Sequence, residues 1–324
     1  MNIHYDVTNE HVIGGIGGCC AAYYGLADTY YQTSVTRTPN EATRSSLNVP
    51  EHPLWKNIVT FDPLGFDTAV PTITATTCHM HIPEIGGEPI PATKIAIEQV
   101  WSLSGVADRL GVDEVQMRTN LLKRTGHERL MDFRYDTFFP QIGGTTVYLF
   151  GDYNARTPDT KVAARVHDEC SGSDTFGTDI CTCRPYLLYA IKELAAHAKA
   201  GGLGILVYNR KEGRSLGEVT KFMVYNARKC CAEGDCKERY FSHTSNVASI
   251  VDARLQKLLP DPFLWLGIER IDTWYSMSHE KSSALRNVGI EIVEQMEIPD
   301  HYVPEAARVE LGAKVEDGYY SKKI

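Results

Sequence analysis

Residues 161–209 constrain the fold more than any other part of this chain of 324 residues. KVAARVHD has the composition of a strand, and PYLLYAIKELAAHAKA starts with proline and places its apolar residues on one helical face. Gly201 and Gly202 then end the helix, and LGILVYN follows as a buried strand. This strand-helix-strand order predicts an α/β fold with a mixed sheet flanked by helices.

Strand and helix patterns alternate on both sides of this unit. Between residues 57 and 150, NIVTF, VPTITATTCHMHI and TTVYLF predict strands, whereas TKIAIEQVWSLSGVADRL and VDEVQMRTNLLKRT predict helices. From residue 247 onward, VASIVDARLQKLL and KSSALRNVG predict helices, and RIDTWYS and IEIVEQM predict strands. We therefore expect an N-terminal α/β accessory domain over residues 1–145 and a second α/β domain over residues 146–324.

Charge and hydropathy exclude several classes of function. The net charge of -8 argues against a general nucleic-acid binder, which needs a broad basic face. No apolar run of about 18 residues is present, and the N-terminus lacks the pattern of a signal peptide. We expect a cytoplasmic protein that binds neither nucleic acid nor membrane.

Three cysteines form the most specific chemical signal. Cys170, Cys181 and Cys183 lie in the polar loop between the strand and the helix. Soft thiolates select Zn²⁺, and three protein ligands leave a fourth position for water, as in catalytic sites. Zinc lowers the pKa of bound water from about 15.7 to about 7. A closed structural zinc site and three ordinary buried thiols are the alternatives.

Polar residues flank the cysteines at the ends of both strands. Arg165, His167 and Glu169 alternate along the first strand and therefore share one face. After the second strand, the turn NRKEGRSLG offers arginines that can grip phosphate and an acidic side chain that can accept from ring N–H groups. A solvated charged turn is the alternative reading of the second segment.

The series RVHDEC, CTC and LVYNRKEGRSLG resembles the GTP cyclohydrolase II family, whose hallmark is RVHSEC, CDC and EGR-x-IG. The resemblance covers roughly residues 145–315 and includes the tail HYVPEAARVELGAK. It implies an α/β fold, a zinc ion held by the three cysteines, a nucleotide substrate and a homodimer.

The resemblance also implies roles for single residues. Tyr225 matches the tyrosine that aids ring opening, and Asp252 and Arg254 stand where the family has its general base and its covalent phosphate acceptor. A surface pair on a helix is the alternative for Asp252 and Arg254. The residues matched to nucleotide binding are Arg165, His167, Glu169, Glu212, Gly213, Arg214 and Lys281.

Departures from the family pattern point away from guanine. Where the family has a glutamine that contacts guanine, this chain has Tyr186, and Lys281 ends the divergent segment YSMSHEK. Loss of an amide that a buried base edge requires costs on the order of 10⁴ in discrimination. The stretch WKNIVTFDPLGFDTAVPTIT resembles the N-terminal extension of family members in fungal and bacterial uracil catabolism.

Our leading hypothesis is zinc-dependent hydrolytic opening of the uracil ring of UMP or UTP at N3–C4. Tyr186 stacks on the base, and Tyr225 positions or protonates the leaving nitrogen. Arg254 binds phosphate without covalent modification. The alternatives are GTP cyclohydrolase II of riboflavin synthesis and a catalytically silent nucleotide-binding regulator. The residues expected to hold phosphate are Arg165, Arg210 and Arg214.

Overall fold

The structure is a computed structural model, and it organises the chain around one large sheet. The residues that it describes are 47–49, 53–54, 57–60, 73–97, 99, 101–138, 144–230 and 254–322. The sheet contains β1 (Ile73–Met80), β2 (Ile90–Ile97), β5 (Thr145–Phe150), β6 (Val162–Asp168), β7 (Leu203–Asn209), β8 (Arg270–Tyr275) and β9 (Glu291–Met296). Two short strands, β3 (Trp101–Ser102) and β4 (Thr137–Phe138), pair separately.

The helices surround this sheet. Ser102 caps α1 with its side chain, and Asp113 caps α2 in the same way. The helices are α1 (Leu103–Leu110), α2 (Glu114–Thr125), α3 (Ser171–Phe176), α4 (Cys183–Lys199), α5 (Glu218–Lys229), α6 (Asp261–Trp265), α7 (His279–Asn287) and α8 (Arg308–Glu316). None of the described helices is long and apolar enough to cross a membrane.

The sheet has an antiparallel half and a parallel half, in the order β1-β2-β5-β7-β6-β8-β9. The neighbours from β1 to β7 pair antiparallel, and those from β7 to β9 pair parallel. Alternate residues of each strand face opposite layers, so the sheet has one apolar cluster around Trp265 and Trp274 and another against α4. Because parallel strands end at the same edge, the residues that follow β6, β7 and β8 meet there.

The predicted fold class is confirmed: the protein is a mixed α/β structure. The predicted strands over 161–168, 203–209, 270–276 and 290–296 are present, as is the long helix after Cys183. Strands β1 and β2 lie before the predicted domain boundary at residue 145 and extend the sheet through β5. The boundary itself stays a prediction.

Two assignments made from sequence were wrong. Residues 93–97 were expected to start a helix, but they form the second half of β2, and the helix starts only at Leu103. Ile95 and Ile97 are buried and alternate with exposed Ala96, so burial of one face between β1 and β5 decides in favour of a strand. Residues 57–60 contain buried apolar side chains without strand pairing. Of the predicted helix over 247–259, the described part contains a 3-10 turn at Gln256–Leu258.

Candidate active site

A cavity of about 190 Å³ lies at the carboxyl ends of β6, β7 and β8. Strand β6 contributes the run from Arg165 to Asp168, and the segments after β7 and β8 contribute two further sides. Helices α5 and α8 complete the lining with Tyr225 and Glu310. The cavity therefore gathers side chains from elements that are far apart in the sequence.

The three cysteines predicted to bind metal lie together beside this cavity. Their sulfur atoms are all within 4.8 Å of one another, and the Sγ atoms of Cys170 and Cys181 are 3.5 Å apart. Cys170 immediately precedes α3, and Cys183 is the first residue of α4. Hydrogen bonds from Cys170 and Cys183 lower the pKa of the Cys181 thiol. Three soft donors converging on one point fit a zinc ion with three protein ligands.

Lys221 links the cysteine cluster to the predicted nucleotide-binding turn. Its Nζ lies 2.7 Å from the Sγ of Cys170 and 2.8 Å from Oε1 of Glu212. Burial lowers the pKa of Lys221, but the charge of Cys170 and the hydrogen bonds outweigh it, so the pKa is raised. The sequence analysis missed this residue because it lies on α5, outside the matched motifs.

Asp174 joins β6 to the metal loop. Its Oδ2 accepts from His167 Nε2 at 2.9 Å, from the backbone N–H of Cys170 at 3.0 Å and from the Tyr208 hydroxyl at 2.8 Å. Burial lowers the pKa of His167, which favours the neutral ring. Since Nε2–H donates to Asp174, Nδ1 is left to accept from Arg165 at 3.2 Å. Asp174 was also missed from sequence.

Arg165 is buried above an aromatic ring. The guanidinium carbon lies 3.9 Å from the ring centroid of Tyr186, and Nη1 donates to the backbone carbonyl of Tyr275 at 3.0 Å. Tyr186 in turn donates from its hydroxyl to the carbonyl of Met296. The predicted stacking of Tyr186 on a base stays a prediction, but in the structure this ring is in contact with Arg165.

A buried carboxylate at the end of β6 pairs with two cations. Asp168 Oδ2 lies 2.7 Å from Arg254 Nη1 and 2.8 Å from Lys281 Nζ. Burial lowers the pKa of Lys281 to about 8, against the opposing effect of Asp168. Both cations line the cavity, as expected of substrate-binding residues. Asp252 lies outside the described residues. Asp168 falls within the run from Arg165 to Glu169 that the resemblance matched to nucleotide binding, but its pairing with Arg254 and Lys281 was not predicted.

The turn after β7 has an unusual backbone. Gly213, Arg214 and Ser215 have φ angles of 59°, 56° and 61°, in the left-handed region that only glycine adopts without strain. A Cβ at position 213 would also lie 3.2 Å from the Cβ of Lys221. This tight turn directs Glu212 and Arg214 into the cavity lining.

Two further predicted residues differ in their exposure. Glu169 is partly buried in the lining, and burial followed by the charge of Glu212 raises its pKa. Arg210 is exposed and does not line the cavity, so its predicted contact with phosphate gains no support from this position.

Tyr225 faces the cavity from α5. It is buried, and its hydroxyl donates to Oε2 of Glu310 at 3.1 Å. Lys314 donates to the other carboxylate oxygen of Glu310. Glu310 and Lys314 lie on α8, a helix that the sequence analysis did not predict, so this side of the cavity was missed.

The structure brings together most residues proposed from sequence. Cys181 lies in the thiol cluster behind the lining, Arg210 lies outside the cavity, and Asp252 is not described. The predicted residues that line the cavity are Arg165, His167, Glu169, Cys170, Cys183, Tyr186, Glu212, Gly213, Arg214, Tyr225, Arg254 and Lys281.

Comparison with known proteins identifies a family whose model matches the part of the chain that holds most of the cavity-lining residues. A family model described as GTP cyclohydrolase II matches residues 114–297, and one described as GTP cyclohydrolase N terminal matches residues 87–124. Uracil-regulated protein 1 of Schizosaccharomyces pombe is 40% identical over 98% of this chain and 81% of its own length. Putative GTP cyclohydrolase URC1 of Lachancea kluyveri is 40% identical over 97% of this chain and 80% of its own length.

A bacterial relative matches only half of the chain. GTP cyclohydrolase-2 of Neisseria meningitidis is 31% identical over 50% of this chain and 76% of its own length. Because the family model spans more than half of the chain and includes the cysteines and the cavity-lining turn, this protein belongs to the GTP cyclohydrolase II family.

Proposed function

We propose that this protein hydrolyses the N3–C4 bond of the uracil ring in a uridine nucleotide, UMP or UTP, and releases a ureido product. The observation that carries the proposal is the cluster of three cysteine thiols at a cavity lined by cationic and acidic side chains. The thiols suit a zinc ion that promotes hydrolysis, the cations suit phosphate, and an acidic group suits the N3–H of the base.

Cys170, Cys181 and Cys183 are the residues that would hold zinc. Zinc bound to them supplies Lewis acidity and lowers the pKa of a bound water. Lys221 places a positive charge against the Cys170 sulfur and so offsets part of the negative charge of three thiolates.

The remaining side chains bind and orient the nucleotide. Arg214 and Arg254 line the cavity and offer the planar donor geometry that suits phosphate, with Arg254 held in place by Asp168. Glu212 accepts from N3–H, the one N–H group of the base in a uridine nucleotide, and Glu169 lines the same cavity. In this proposal Arg254 binds phosphate without becoming covalently modified, and Asp252 serves as general base.

Tyr225 acts at the leaving nitrogen. Tyr225 lines the cavity, and Glu310 orients its hydroxyl at 3.1 Å, so the phenol has a fixed direction before substrate binds. In the proposed reaction it positions N3 as the N3–C4 bond breaks. Water supplies the new C4 oxygen and, in net terms, the proton that N3 gains.

Two observations favour uracil over guanine. The sequence has Tyr186 in place of the glutamine that the family uses for guanine. Of the two relatives that match nearly the whole chain, one is named Uracil-regulated protein 1; the name of the other, Putative GTP cyclohydrolase URC1, supports a cyclohydrolase. Tyr186 and the name of the first relative support a function in uracil degradation.

GTP cyclohydrolase II activity is the second candidate. The family model and the bacterial relative named GTP cyclohydrolase-2 favour it. It predicts formate and pyrophosphate as products, which uracil ring opening does not release.

The deciding experiment incubates zinc-loaded protein with UMP, UTP and GTP in parallel. Loss of the uracil absorbance band without formate supports the proposal. Formate from GTP alone would replace it with GTP cyclohydrolase II activity. A protein that turns over none of the three and contains no metal would instead be a nucleotide-binding regulator.

We also propose a homodimer, as the family resemblance implies. Light scattering coupled to size-exclusion chromatography tests it: twice the 36.1 kDa chain mass is expected, and a single chain mass would contradict it.

A further inference from the structure

The turn after β7 has a backbone that needs support from its neighbours. Gly213, Arg214 and Ser215 are all in the left-handed region, with φ angles of 59°, 56° and 61°. At a residue other than glycine this conformation is unfavourable, and it persists only where surrounding contacts hold it. The contacts that attach the turn to the rest of the molecule therefore decide whether its shape is kept.

The carboxylate of Glu212 attaches the turn to the cysteine cluster by two routes. Its Oε2 accepts from the backbone N–H of Ser171 at 2.5 Å, and Ser171 directly follows Cys170. Its Oε1 accepts from Nζ of Lys221 at 2.8 Å, and the same Nζ lies 2.7 Å from Sγ of Cys170. Both routes end at Cys170, which is one of the three cysteines that would hold zinc.

Lys221 also packs directly against the turn. A Cβ at position 213 would lie 3.2 Å from the Cβ of Lys221, which is closer than an ordinary van der Waals contact. The Lys221 side chain is only 15% exposed, and a buried ammonium is costly unless anionic groups surround it. Its two anionic partners are Glu212 and the sulfur of Cys170, so a displacement of either one affects Lys221 and the other.

Metal binding would fix one end of this link. A metal site is rarely held in its final form by the protein alone, and the bound ion orders its ligands. Ordering Cys170 also orders Lys221 and Ser171, and through them the carboxylate of Glu212. Because part of the cost of ordering the turn is then already met, metal at the cysteines favours the ordered turn.

We propose that Lys221 is a positioning residue, which, together with Glu212, transmits metal binding at the three cysteines to the nucleotide-binding turn and so holds the left-handed backbone at residues 213–215. The inference rests on the proposed function for a metal at the cysteines. It does not depend on which base the enzyme opens.

Hydrogen exchange on the full-length protein, with saturating zinc or with a chelator, measures the order of the turn. The backbone N–H groups of Leu216 and Gly217 donate to carbonyls within the turn, so their exchange reports its opening. We expect zinc to slow exchange in peptides over residues 210–220 by about tenfold. The turn between α1 and α2 does not line the cavity, serves as the internal reference and should be unchanged.

Two lysines on one helix provide the variant and its matched control. Lys221→Met removes the ammonium, whereas Lys229→Met alters an exposed side chain of the same helix. At saturating zinc, we expect Lys221→Met to reduce the zinc-dependent protection to about threefold or less. Competition with a chelator should also show zinc binding about tenfold weaker. Lys229→Met should change both quantities by less than about twofold.

Further variants separate transmission from folding and from loss of metal. Glu212→Ala removes both routes and should abolish the protection of the turn while the protein still contains zinc by elemental analysis. If Lys221→Met fails to fold, Lys221→Gln takes its place, since glutamine is polar but carries no charge.

Full protection of the turn in Lys221→Met would overturn the inference, as would an equal loss of protection in Lys229→Met. An unmodified protein that binds no zinc, or in which zinc leaves the turn unprotected, would overturn it as well. Protection that depends on Lys221 without opening of the uracil ring would uphold the inference and contradict the proposed function. Ring opening without protection would do the reverse.

Discussion

The two halves of the sheet both bury apolar side chains, but they have different functions. Strands of the antiparallel half and of the parallel half share one apolar cluster, in which Ile95 of β2 and Ile205 of β7 are both fully buried. Yet among the described residues every side chain that lines the cavity lies at Arg165 or beyond it. Buried apolar side chains are therefore distributed across the sheet, whereas the strand residues that line the cavity lie at one edge of its parallel half.

Strand direction explains the difference. The parallel strands β6, β7 and β8 all end at the same edge, so the residues after them converge on one point. In an antiparallel pair, consecutive strands end at opposite edges, and their end residues lie far apart. The antiparallel half thus widens and stabilises the sheet without adding groups to the site.

The substitution with the largest expected effect disrupts the site and leaves the sheet intact. Cys181→Ala removes one of three converging sulfur ligands, and we expect turnover to fall by about 10³-fold or more together with loss of bound zinc. Elemental analysis and the nucleotide assay measure the two quantities on one sample. More than a tenth of the activity remaining would contradict a role for the cysteine cluster.

The second-largest effect is expected from loss of the buried ion pairs of Asp168, at the edge of the parallel half. Asp168→Asn leaves Arg254 and Lys281 without their carboxylate, and we expect a loss of about 3–5 kcal/mol in the free energy of unfolding. Urea denaturation measures it. Glu305→Gln, which breaks an exposed ion pair with Arg308, is the control and should cause no measurable change. Equal effects of the two substitutions would contradict the account.

A matched pair of isoleucines tests the comparison between the halves directly. Ile95→Ala and Ile205→Ala each empty a buried site, and each should cost about 2–5 kcal/mol of stability. Only Ile205→Ala should raise KM for the nucleotide, because β7 positions the turn at Glu212. Denaturant unfolding and steady-state kinetics separate the two effects. A raised KM in Ile95→Ala would show that the antiparallel half also shapes the site.

The smallest expected effect is a pH dependence from the parallel half. Burial lowers the pKa of Lys281 to about 8, and the charged groups around it are Asp168, Arg254 and Arg165. Charged Lys281 holds Asp168 and keeps the cavity positive, so kcat/KM should fall about tenfold per pH unit above 8. Lys281→Arg should remove this decline below pH 10, since arginine stays protonated. An unchanged profile in Lys281→Arg would contradict the assignment.

The same titration has the opposite sign for stability. Below pH 8 the lysine is charged in both the folded and the unfolded protein, and burial of that charge is unfavourable. Between pH 8 and its ordinary value near 10.4 the folded protein loses the proton first, so this group's contribution to stability rises with pH. Activity and stability should therefore respond in opposite directions over this range.

Much of the parallel half could be predicted from sequence, because local patterns specify it. The buried strands of the β6-α4-β7 unit are continuous apolar runs, and the cysteines lie in the loop between two of its elements. Residues 93–97 of β2 were assigned to a helix because the spacing of their apolar residues fits the period of a helix as well as that of a strand. Pairing with strands on both sides, which no local window contains, decides the outcome.

The missed site residues share one cause. Asp174, Lys221 and Glu310 each contact a partner on a different element, so their proximity depends on tertiary packing. Arg210 was included in the site because it precedes the matched turn, yet it is exposed one residue after β7 ends. The left-handed backbone at residues 213–215, which directs the turn into the cavity, has no signal in the sequence apart from Gly213.

The most direct test of the central claim follows where the oxygen and nitrogen atoms go. UMP labelled with heavy nitrogen at N3 is incubated with zinc-loaded protein in heavy-oxygen water, and the product is analysed by mass spectrometry and NMR. The account predicts one heavy oxygen in a new carboxylate at C4, with the labelled nitrogen in a terminal ureido NH₂ group. An intact uracil ring after prolonged incubation, or cleavage at any other ring bond, would contradict it.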